Sequence, residues 1–246
     1  MKKVILSHKR ADRVQTHKHV DDCAICVPES QADEYRQNLD IEVIEHPDSV
    51  VGLSPKRQWV YEKFGDVFML DDDIVWIKRV YIPMEGADYD ITVEPDIVSK
   101  WIDDTYNLAR EMGISFFGFN RNAPPQAMTG AKPIAFNEFI TGGAFGLIWD
   151  KNLYFPSWPH FTGEDYWINA LNAYFNRKSL IDRRITFTFE DTEHNPGGVA
   201  DYRTVQKRKE TYIYLRKHFG EAIVPKKVTS IKKKLKQHEK TLKIPF

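Results

Sequence analysis

The sequence comprises 246 residues, of which 42% are hydrophobic, 28% charged and 13% aromatic. A chain of this length buries about 70–75% of the surface that its unfolded form exposes, so one sizeable core is feasible. Lys plus Arg and Asp plus Glu number 35 each, which counts against a strongly basic nucleic-acid-binding protein. No apolar run approaches the roughly 18 residues of a membrane span, and the N-terminal run is too short for a signal peptide. We therefore expect a cytoplasmic protein without membrane segments.

Short β-rich runs alternate with helical segments in the first part of the chain. The predicted strands are 4–6, 24–27, 41–44 and 67–70, and the predicted helices are 31–37 and 54–64. Ser54 is the expected N-cap of the second helix, with Pro55 as its first residue and Gly65 at its end. This alternation with short links predicts an α/β fold whose sheet is mostly parallel in its first half. Cys23 and Cys26 form a CxxC pair that we interpret as strand residues, with a redox or zinc role as the alternative.

The second part of the chain is less regular. Strands are predicted at 114–120 and 185–189, and helices at 96–112, 164–175 and 201–219. Residues 121–132 and 191–200 are rich in turn-forming residues and are expected to be loops. We assign residues 1–220 to one domain.

Residues 221–246 form a tail of different composition. The tail carries eight lysines against two glutamates, an excess of six positive charges. A solvated terminal helix explains this excess, and so does contact with a polyanion, because lysine neutralises phosphate irrespective of sequence. The two interpretations stay open at this point.

Three adjacent carboxylates follow an apolar run in DVFMLDDDIV, residues 66–75. Like charges in this arrangement become favourable when a divalent cation sits among them, and Mg²⁺ or Mn²⁺ is typically shared between carboxylates and substrate phosphates. In parallel sheets, ligands bind beyond the carboxyl ends of the strands. Residues 7–10 and 71–73 both follow predicted strands, so we expect them to face one crevice. An Asp-rich turn without metal is the alternative.

Three further motifs follow in the chain. TGGAFG, residues 141–146, is a glycine turn that lets backbone approach a ligand, or alternatively a β-bulge. Glu164 and Asp165 open a helix, where acids stabilise the helix dipole or where one of them acts as a general base. His194 lies in EHNPGG, where an imidazole is either polar surface or a metal ligand.

The order of these motifs resembles that of the GT-A fold nucleotide-sugar glycosyltransferases. LDDDI resembles their DxD motif and TGGAFG their glycine loop. GED, residues 163–165, resembles their xED motif, and EHNPGG resembles their C-terminal histidine loop. The resemblance spans residues 4 to about 200. It implies a Rossmann-like α/β fold with a mixed, mostly parallel sheet flanked by helices. It also implies that the protein is an enzyme.

The resemblance also implies roles for individual residues. Asp73 is expected to bind a divalent metal, Mn²⁺ or Mg²⁺, with Asp71 and His194 as the other protein groups at the metal. Asp165 matches the catalytic base and Glu164 a contact to acceptor or donor sugar, which implies inversion by single displacement. The residues expected around the nucleotide-sugar donor, a UDP-sugar, are Ser7, His8, Arg10, Lys56, Arg57, Asp71, Asp72, Gly142 and Gly143.

Within this fold, the chain is similar to the TET-associated glycosyltransferases in four segments: VILSHKR, VPESQADEYR, GLSPKRQWV and LDDDI. That family is found in phages and is associated with sugars on hydroxymethylated pyrimidines in DNA. The similarity implies a DNA acceptor of the 5-hydroxymethylcytosine type, contacted through the Lys-rich tail, and a phage enzyme acting in the host cytoplasm. Trp158, Phe161, Tyr166 and Trp167 surround GED and either stack on a flipped base or belong to the core.

Other functions compete with this one. A GT-A enzyme with a polysaccharide or glycoprotein acceptor needs no DNA contact and gives the tail lysines no role. A catalytically silent nucleic-acid-binding module of the same fold has no need for DDD, GED and His194. A nucleotidyltransferase also uses Asp-rich strand ends but requires neither the GED base nor the late histidine.

Overall fold

This computed structural model describes residues 1–80, 92–121, 123, 132–136, 138–190, 202–226 and 240–243. The helices are α1 Ala32–Asn38, α2 Leu53–Phe64, α3 Pro95–Glu111, α4 Glu164–Phe175 and α5 Val205–Phe219. The strands are β1 Lys2–Leu6, β2 Cys23–Pro28, β3 Glu42–His46, β4 Val67–Asp71, β5 Ile74–Arg79, β6 Phe116–Arg121, β7 Ile134–Phe136, β8 Ala144–Leu147, β9 Leu180–Phe189, β10 Ile223–Pro225 and β11 Lys240–Leu242. No helix among these is long and apolar enough to cross a membrane.

Nine of the described strands form one mixed sheet in the order β3-β2-β1-β4-β8-β6-β9-β5, with β7 paired to β9. Strands β3, β2, β1 and β4 are parallel, whereas β8 runs antiparallel to both β4 and β6. The predicted α/β fold with a mixed sheet, parallel in its first half and flanked by helices, is confirmed.

Apolar residues alternate between the two faces of the sheet. Ile5 and Phe68 pack on the face covered by α1 and α3, and Val4 and Met69 pack on the face covered by α2, α4 and α5. Because successive side chains on a strand point to opposite faces, each central strand contributes to two apolar layers. The sheet is thus buried on both sides, and polar groups concentrate at its edges and strand ends.

The start of α2 differs from the prediction. Gly52 is the N-cap, with a φ of 92°, and the helix begins at Leu53. A Cβ at Gly52 would lie 1.6 Å from the carbonyl oxygen of Pro159, so this close backbone approach requires glycine. Ser54 lies inside the helix and its hydroxyl donates to the Pro156 carbonyl at 2.6 Å. The predicted stop at Gly65 is confirmed.

Two other boundaries differ as well. Helix α5 begins at Val205 rather than at residue 201, because the Thr204 hydroxyl accepts a hydrogen bond from the Lys207 amide and caps the helix. Strand β9 begins five residues earlier than predicted, at Leu180 rather than at Ile185.

The described part of the C-terminal tail packs against the rest of the chain. Strands β10 and β11 form an antiparallel pair, and Ile223 is fully buried in the apolar layer that includes α4 and α5. The Lys243 amide donates to the Ala222 carbonyl at 2.7 Å. Residues 227–239, which hold five of the eight tail lysines, lie outside the described residues.

Candidate active site

The carboxyl ends of β1 and β4 lie side by side, because these strands are parallel neighbours with Leu6 opposite Asp71. Residues 7–10 therefore meet the turn 71–73 at one edge of the sheet, where α/β folds bind their ligands. A cleft of about 1010 Å³ opens beside them. This volume is at the upper end of the range of small-molecule sites.

Most of the residues proposed from the sequence line this cleft. They are Ser7, His8, Arg10, Lys56, Asp71, Asp72, Asp73, Gly142, Glu164 and Asp165. Arg57 and Gly143 do not line it, and His194 falls outside the described residues. The cleft therefore brings three motifs together that are far apart in the chain.

Asp72 is buried and fully engaged by its neighbours. The Ser7 hydroxyl donates to one carboxylate oxygen, and Arg10 Nη1 donates to the other at 3.0 Å. Ser7 is itself held by the Tyr35 hydroxyl at 2.7 Å and, through its carbonyl, by Lys56 Nζ at 2.5 Å. Burial raises the pKa of Asp72, and the Arg10 guanidinium opposes that rise. Asp72 thus fixes the end of β1 against the turn.

Asp73 differs from the other two aspartates of the turn in having a buried carboxylate oxygen without a described hydrogen-bond partner. Its side chain is buried, and its Oδ1 has no hydrogen-bond partner among the described residues. Burial raises the pKa of Asp73 to about 7, and the neighbouring Asp71 and Asp72 carboxylates add to the rise. A buried carboxylate oxygen is costly without a counter-charge, and a divalent cation would supply one.

The described residues do not by themselves complete a metal site. No group of three or more His, Cys, Asp or Glu side chains in the described ranges is arranged to hold a metal ion. The unpartnered oxygen of Asp73 and the half-buried carboxylate of Asp71 nevertheless fit a hard divalent cation that also takes phosphate oxygens.

Arg57 lies outside the cleft lining and connects the turn 71–73, which we call the Asp turn, to the glycine loop that contains Gly142. Its Nη2 donates to Asp71 Oδ1 at 3.0 Å and to the Gly142 carbonyl at 2.6 Å. The Arg57 side chain is 1% exposed, and its Cζ lies 4.8 Å from the centre of the Phe145 ring. Buried charges of opposite sign in this geometry fix relative position, so we interpret Arg57 as a positioning residue.

The two glycines of the loop serve different purposes. A Cβ at Gly142 would lie 3.4 Å from Asp165 Cβ and 3.7 Å from Glu164 Oε1, so this glycine stands where the loop meets the acids. A Cβ at Gly143 would lie 2.5 Å from the Phe189 ring, so Gly143 allows the turn before β8 to pack closely against Phe189 of β9.

The two acids that open α4 differ in environment. Glu164 is buried, and burial followed by the Asp165 charge raises its pKa, while Arg57 opposes the rise. Asp165 is half-buried, lines the cleft and accepts a hydrogen bond from the Tyr166 amide at 2.8 Å. A carboxylate that is accessible from the cleft and held at a helix start is placed to take a proton from a bound hydroxyl.

A comparison with protein-family models gives the family. The model described as TET-Associated Glycosyltransferase matches residues 1–136, which is more than half of the chain. The chain belongs to the TET-associated glycosyltransferase family. The match covers the Asp turn and the segments that place it, and its boundary precedes the glycine loop and GED.

No curated protein matches the chain. Among solved structures, a similar one is the crystal structure of Staphylococcus aureus TarS 1-349, at 13% identity and a TM-score of 0.44. The alignment covers 88% of this chain, which spans 66% of the length of the TarS chain.

The aromatic residues near GED in this TET-associated glycosyltransferase are mostly core. Phe161 and Trp167 are buried in one apolar layer, and Trp158 packs against Phe161 and Tyr214. Tyr166 alone among the four predicted aromatics lines the cleft. A base-stacking role is therefore restricted to Tyr166 within this set.

Sequence reasoning missed Thr16, which braces the Asp turn. Its hydroxyl donates to the Asp71 carbonyl at 2.6 Å and accepts from the Ile74 amide at 3.1 Å, and the residue is fully buried. Thr16 lies in a short polar segment without a recognisable motif, so only the tertiary structure reveals this contact.

We expect Thr16→Val to lower the free energy of unfolding by about 2–6 kcal/mol, since it leaves two buried backbone groups unsatisfied at about 1–3 kcal/mol each. Urea denaturation followed by circular dichroism measures this loss. Thr16→Ser keeps the hydroxyl and serves as the control, with an expected loss near 1 kcal/mol for the missing methyl group. Equal losses in both variants would contradict the bracing role.

The cleft is also lined by cations that are not among the individual residues predicted for the site. Those that line the cleft are Lys9, Arg121, Arg203, Arg208, Lys226 and Lys240. Lys226 and Lys240 belong to the Lys-rich tail that the composition identified. No local sequence pattern shows which lysines of such a tail line a cleft.

Proposed function

We propose that this protein is a metal-dependent glycosyltransferase that moves a sugar from a nucleoside-diphosphate sugar to the hydroxyl of a 5-hydroxymethylcytosine-type base in DNA. The observation that carries the proposal is the convergence of the Asp turn, Gly142 and the acids of α4 in one cleft. Family membership supports the reaction class and the sequence similarity supports the acceptor. A phage origin and action in the host cytoplasm belong to the same proposal.

The donor, expected to be a UDP-sugar, occupies the side of the cleft formed by residues 7–10, the start of α2 and the Asp turn. A divalent cation held by Asp73, Asp71 and His194 would neutralise charge on the leaving diphosphate. Arg10 and the buried Lys56 add positive charge on the same side, and Lys56 retains a cationic role although burial lowers its pKa to about 8. These fixed charges favour the charge distribution that develops as the diphosphate leaves.

The acceptor hydroxyl lies at Asp165 in this proposal. Asp165 takes the hydroxyl proton while the oxygen attacks the anomeric carbon, and the bond from that carbon to the diphosphate breaks. A single displacement of this kind inverts the anomeric configuration. Glu164 lies beside Asp165 and next to Gly142, where it contacts donor or acceptor sugar.

The test is transfer from a panel of nucleotide sugars with Mn²⁺ to DNA that contains 5-hydroxymethylcytosine, with unmodified DNA as the control. The masses of the digested nucleosides are the readout. A gain of one sugar on the modified base alone supports the proposal and identifies the donor. Donor hydrolysis without transfer would indicate a polysaccharide or protein acceptor instead of DNA. A protein that neither hydrolyses nor binds any donor would be the catalytically silent nucleic-acid-binding module.

Asn169 provides a further prediction on how the acids are positioned. Its amide nitrogen donates to the Ile140 and Asp165 carbonyls, both at 2.7 Å, and its oxygen accepts from the Ile140 amide at 2.9 Å. These bonds tie α4 to the segment that leads into the glycine loop. We expect Asn169→Leu to lower kcat for transfer about tenfold or more, because small displacements of a catalytic group are costly.

The matched control for this prediction is Asn172→Leu, three residues along the same helix. Asn172 is also buried, but its amide donates to the Lys178 carbonyl, away from the cleft. Both variants are expected to lose stability, so kcat is measured at a temperature where thermal melts show each to be folded. Equal kcat values in the two variants would refute a positioning role for Asn169.

A further inference from the structure

Lys240 is a buried lysine at the wall of the cleft. It lies in β11, and its residue is 7% exposed. Its Nζ lies 4.5 Å from the centre of the Tyr166 ring, and its carbonyl accepts a hydrogen bond from the Tyr166 hydroxyl at 2.8 Å. The C-terminal strand pair therefore places this ammonium group beside the residue that follows Asp165.

Lys240 belongs to a group of cations that we call the C-terminal cation group. Its members are Arg203, Arg208, Lys226 and Lys240, all of which line the cleft. Within the described parts of the chain, none of the four forms an ion pair with a carboxylate. Burial lowers the pKa of Lys240, the Arg208 and Arg203 charges lower it further, and the Asp165 and Glu164 carboxylates oppose both effects.

Such an arrangement is unfavourable in the absence of a ligand. A buried ammonium group without a hydrogen-bonded counter-charge costs free energy, and neighbouring cations add repulsion. The cleft also carries carboxylates at the turn 71–73 and at the start of α4, but the local excess of positive charge at this group attracts anions. The group therefore has the composition of an anion site, and lysine and arginine are the side chains that bind phosphate.

The position of the group separates it from the donor side. Arg10 is paired with Asp72 at the end of β1, whereas Lys240 and Arg203 act electrostatically on the acids that open α4. An anion on the C-terminal cation group thus lies next to the catalytic base.

We propose that Lys240, Arg208 and Arg203 bind a phosphate group of the acceptor, next to the nucleotide whose hydroxyl is presented to Asp165. The C-terminal strand pair is then part of the acceptor site. This inference rests on the proposed function for the identity of the acceptor, but the anion site itself follows from the unpaired cations. The alternative source of the phosphate is the diphosphate of the donor.

Binding of a fluorescent single-stranded oligonucleotide with one 5-hydroxymethylcytosine tests the site, measured by anisotropy over a series of salt concentrations. For Lys240→Met, which keeps the apolar stem, we expect affinity to fall about three- to tenfold and the salt slope to shrink by about 0.7, the value for one phosphate contact on a single strand. Lys240→Arg is expected to restore both. Lys151→Met, which changes an exposed lysine outside both the cleft and the tail, is the control and is expected to match the wild type.

The donor arm measures UDP binding with Mn²⁺ for the same proteins. Unchanged UDP affinity in Lys240→Met supports an acceptor site, whereas a loss as large as that for the oligonucleotide assigns the cations to the donor diphosphate and overturns the proposal. Arg208→Met serves as a second variant if Lys240→Met loses its fold. Wild-type affinity and salt slope in a folded variant of either residue would also overturn it.

The two proposals fail in different ways. A wild-type protein that binds the oligonucleotide with a Lys240-dependent salt slope but transfers no sugar to it refutes the proposed function and supports the site. Sugar transfer to DNA, together with a salt slope of oligonucleotide binding that does not depend on Lys240 or Arg208, supports the proposed function and refutes the phosphate site.

Discussion

Asp165→Asn is expected to reduce sugar transfer by about 10²–10⁴-fold, the usual contribution of a positioned general base. The amide cannot take the proton from the acceptor hydroxyl, so the attacking oxygen stays a weak nucleophile. The fold is expected to persist, because the Tyr166 amide donates to Asp165 Oδ1 at 2.8 Å and the asparagine oxygen accepts the same bond. Donor binding is expected to stay within about twofold of the wild type, since the loss is confined to the chemical step.

The experiment compares kcat for transfer with the Kd for UDP and Mn²⁺ measured by calorimetry. Asp104→Asn is the matched control, because Asp104 is an exposed aspartate on α3, outside the cleft, that forms an ion pair with Lys100 on the same helix. Near-normal turnover in Asp165→Asn would remove Asp165 from the role of base. A parallel loss of UDP binding would instead show that the substitution disturbs the donor side of the cleft.

The parallel half of the sheet could be predicted because its order follows from local pattern. Four short apolar runs with helices between them leave few topologies, and the structure has β3, β2, β1 and β4 in parallel register. Strand β5 was not predicted, because Trp76 is 50% exposed and the strand carries cations, so its pairing with β9 depends on tertiary contacts. The start of α2 depends likewise on the approach of Pro159 to Gly52.

The site shows the same division between local and tertiary information. The rule that ligands bind at the carboxyl ends of parallel strands predicted that Ser7 and the Asp turn lie together. In the structure the Ser7 hydroxyl donates a hydrogen bond to the Asp72 carboxylate. The residue types alone do not distinguish the three aspartates, and it was the family resemblance that gave the metal to Asp73. Asp72 has partners from the end of β1 and Asp71 has Arg57, which leaves Asp73 with an unpartnered oxygen. That distinction depends on neighbours distant in the chain, as does the return of Lys240 to the cleft.

Asp73→Asn is expected to abolish metal-dependent nucleotide binding. The substitution keeps the shape of the side chain but removes the charge that a hard divalent cation requires of its protein ligands. We expect the affinity for UDP in the presence of Mn²⁺ to fall at least 10²-fold, to the level that the wild type shows in EDTA. Calorimetric titration of UDP with and without Mn²⁺ measures both values. Asp104→Asn is again the control for a change of charge alone.

A second measurement separates loss of the metal from loss of the fold. In the metal-free protein, Asp73 is buried beside Asp71 and Asp72, and its Oδ1 has no described hydrogen-bond partner. Removal of its charge therefore relieves a repulsion that the Arg10 and Arg121 charges offset only in part. We therefore expect the Tm of metal-free Asp73→Asn to equal or exceed that of the metal-free wild type. Mn²⁺ with UDP should raise the Tm of the wild type and leave that of the variant unchanged, because a ligand stabilises only the state that binds it. A variant that is stabilised by Mn²⁺ and UDP as much as the wild type would show that the metal binds elsewhere, since the unpartnered oxygen of Asp73 is the feature that assigns the metal to this turn.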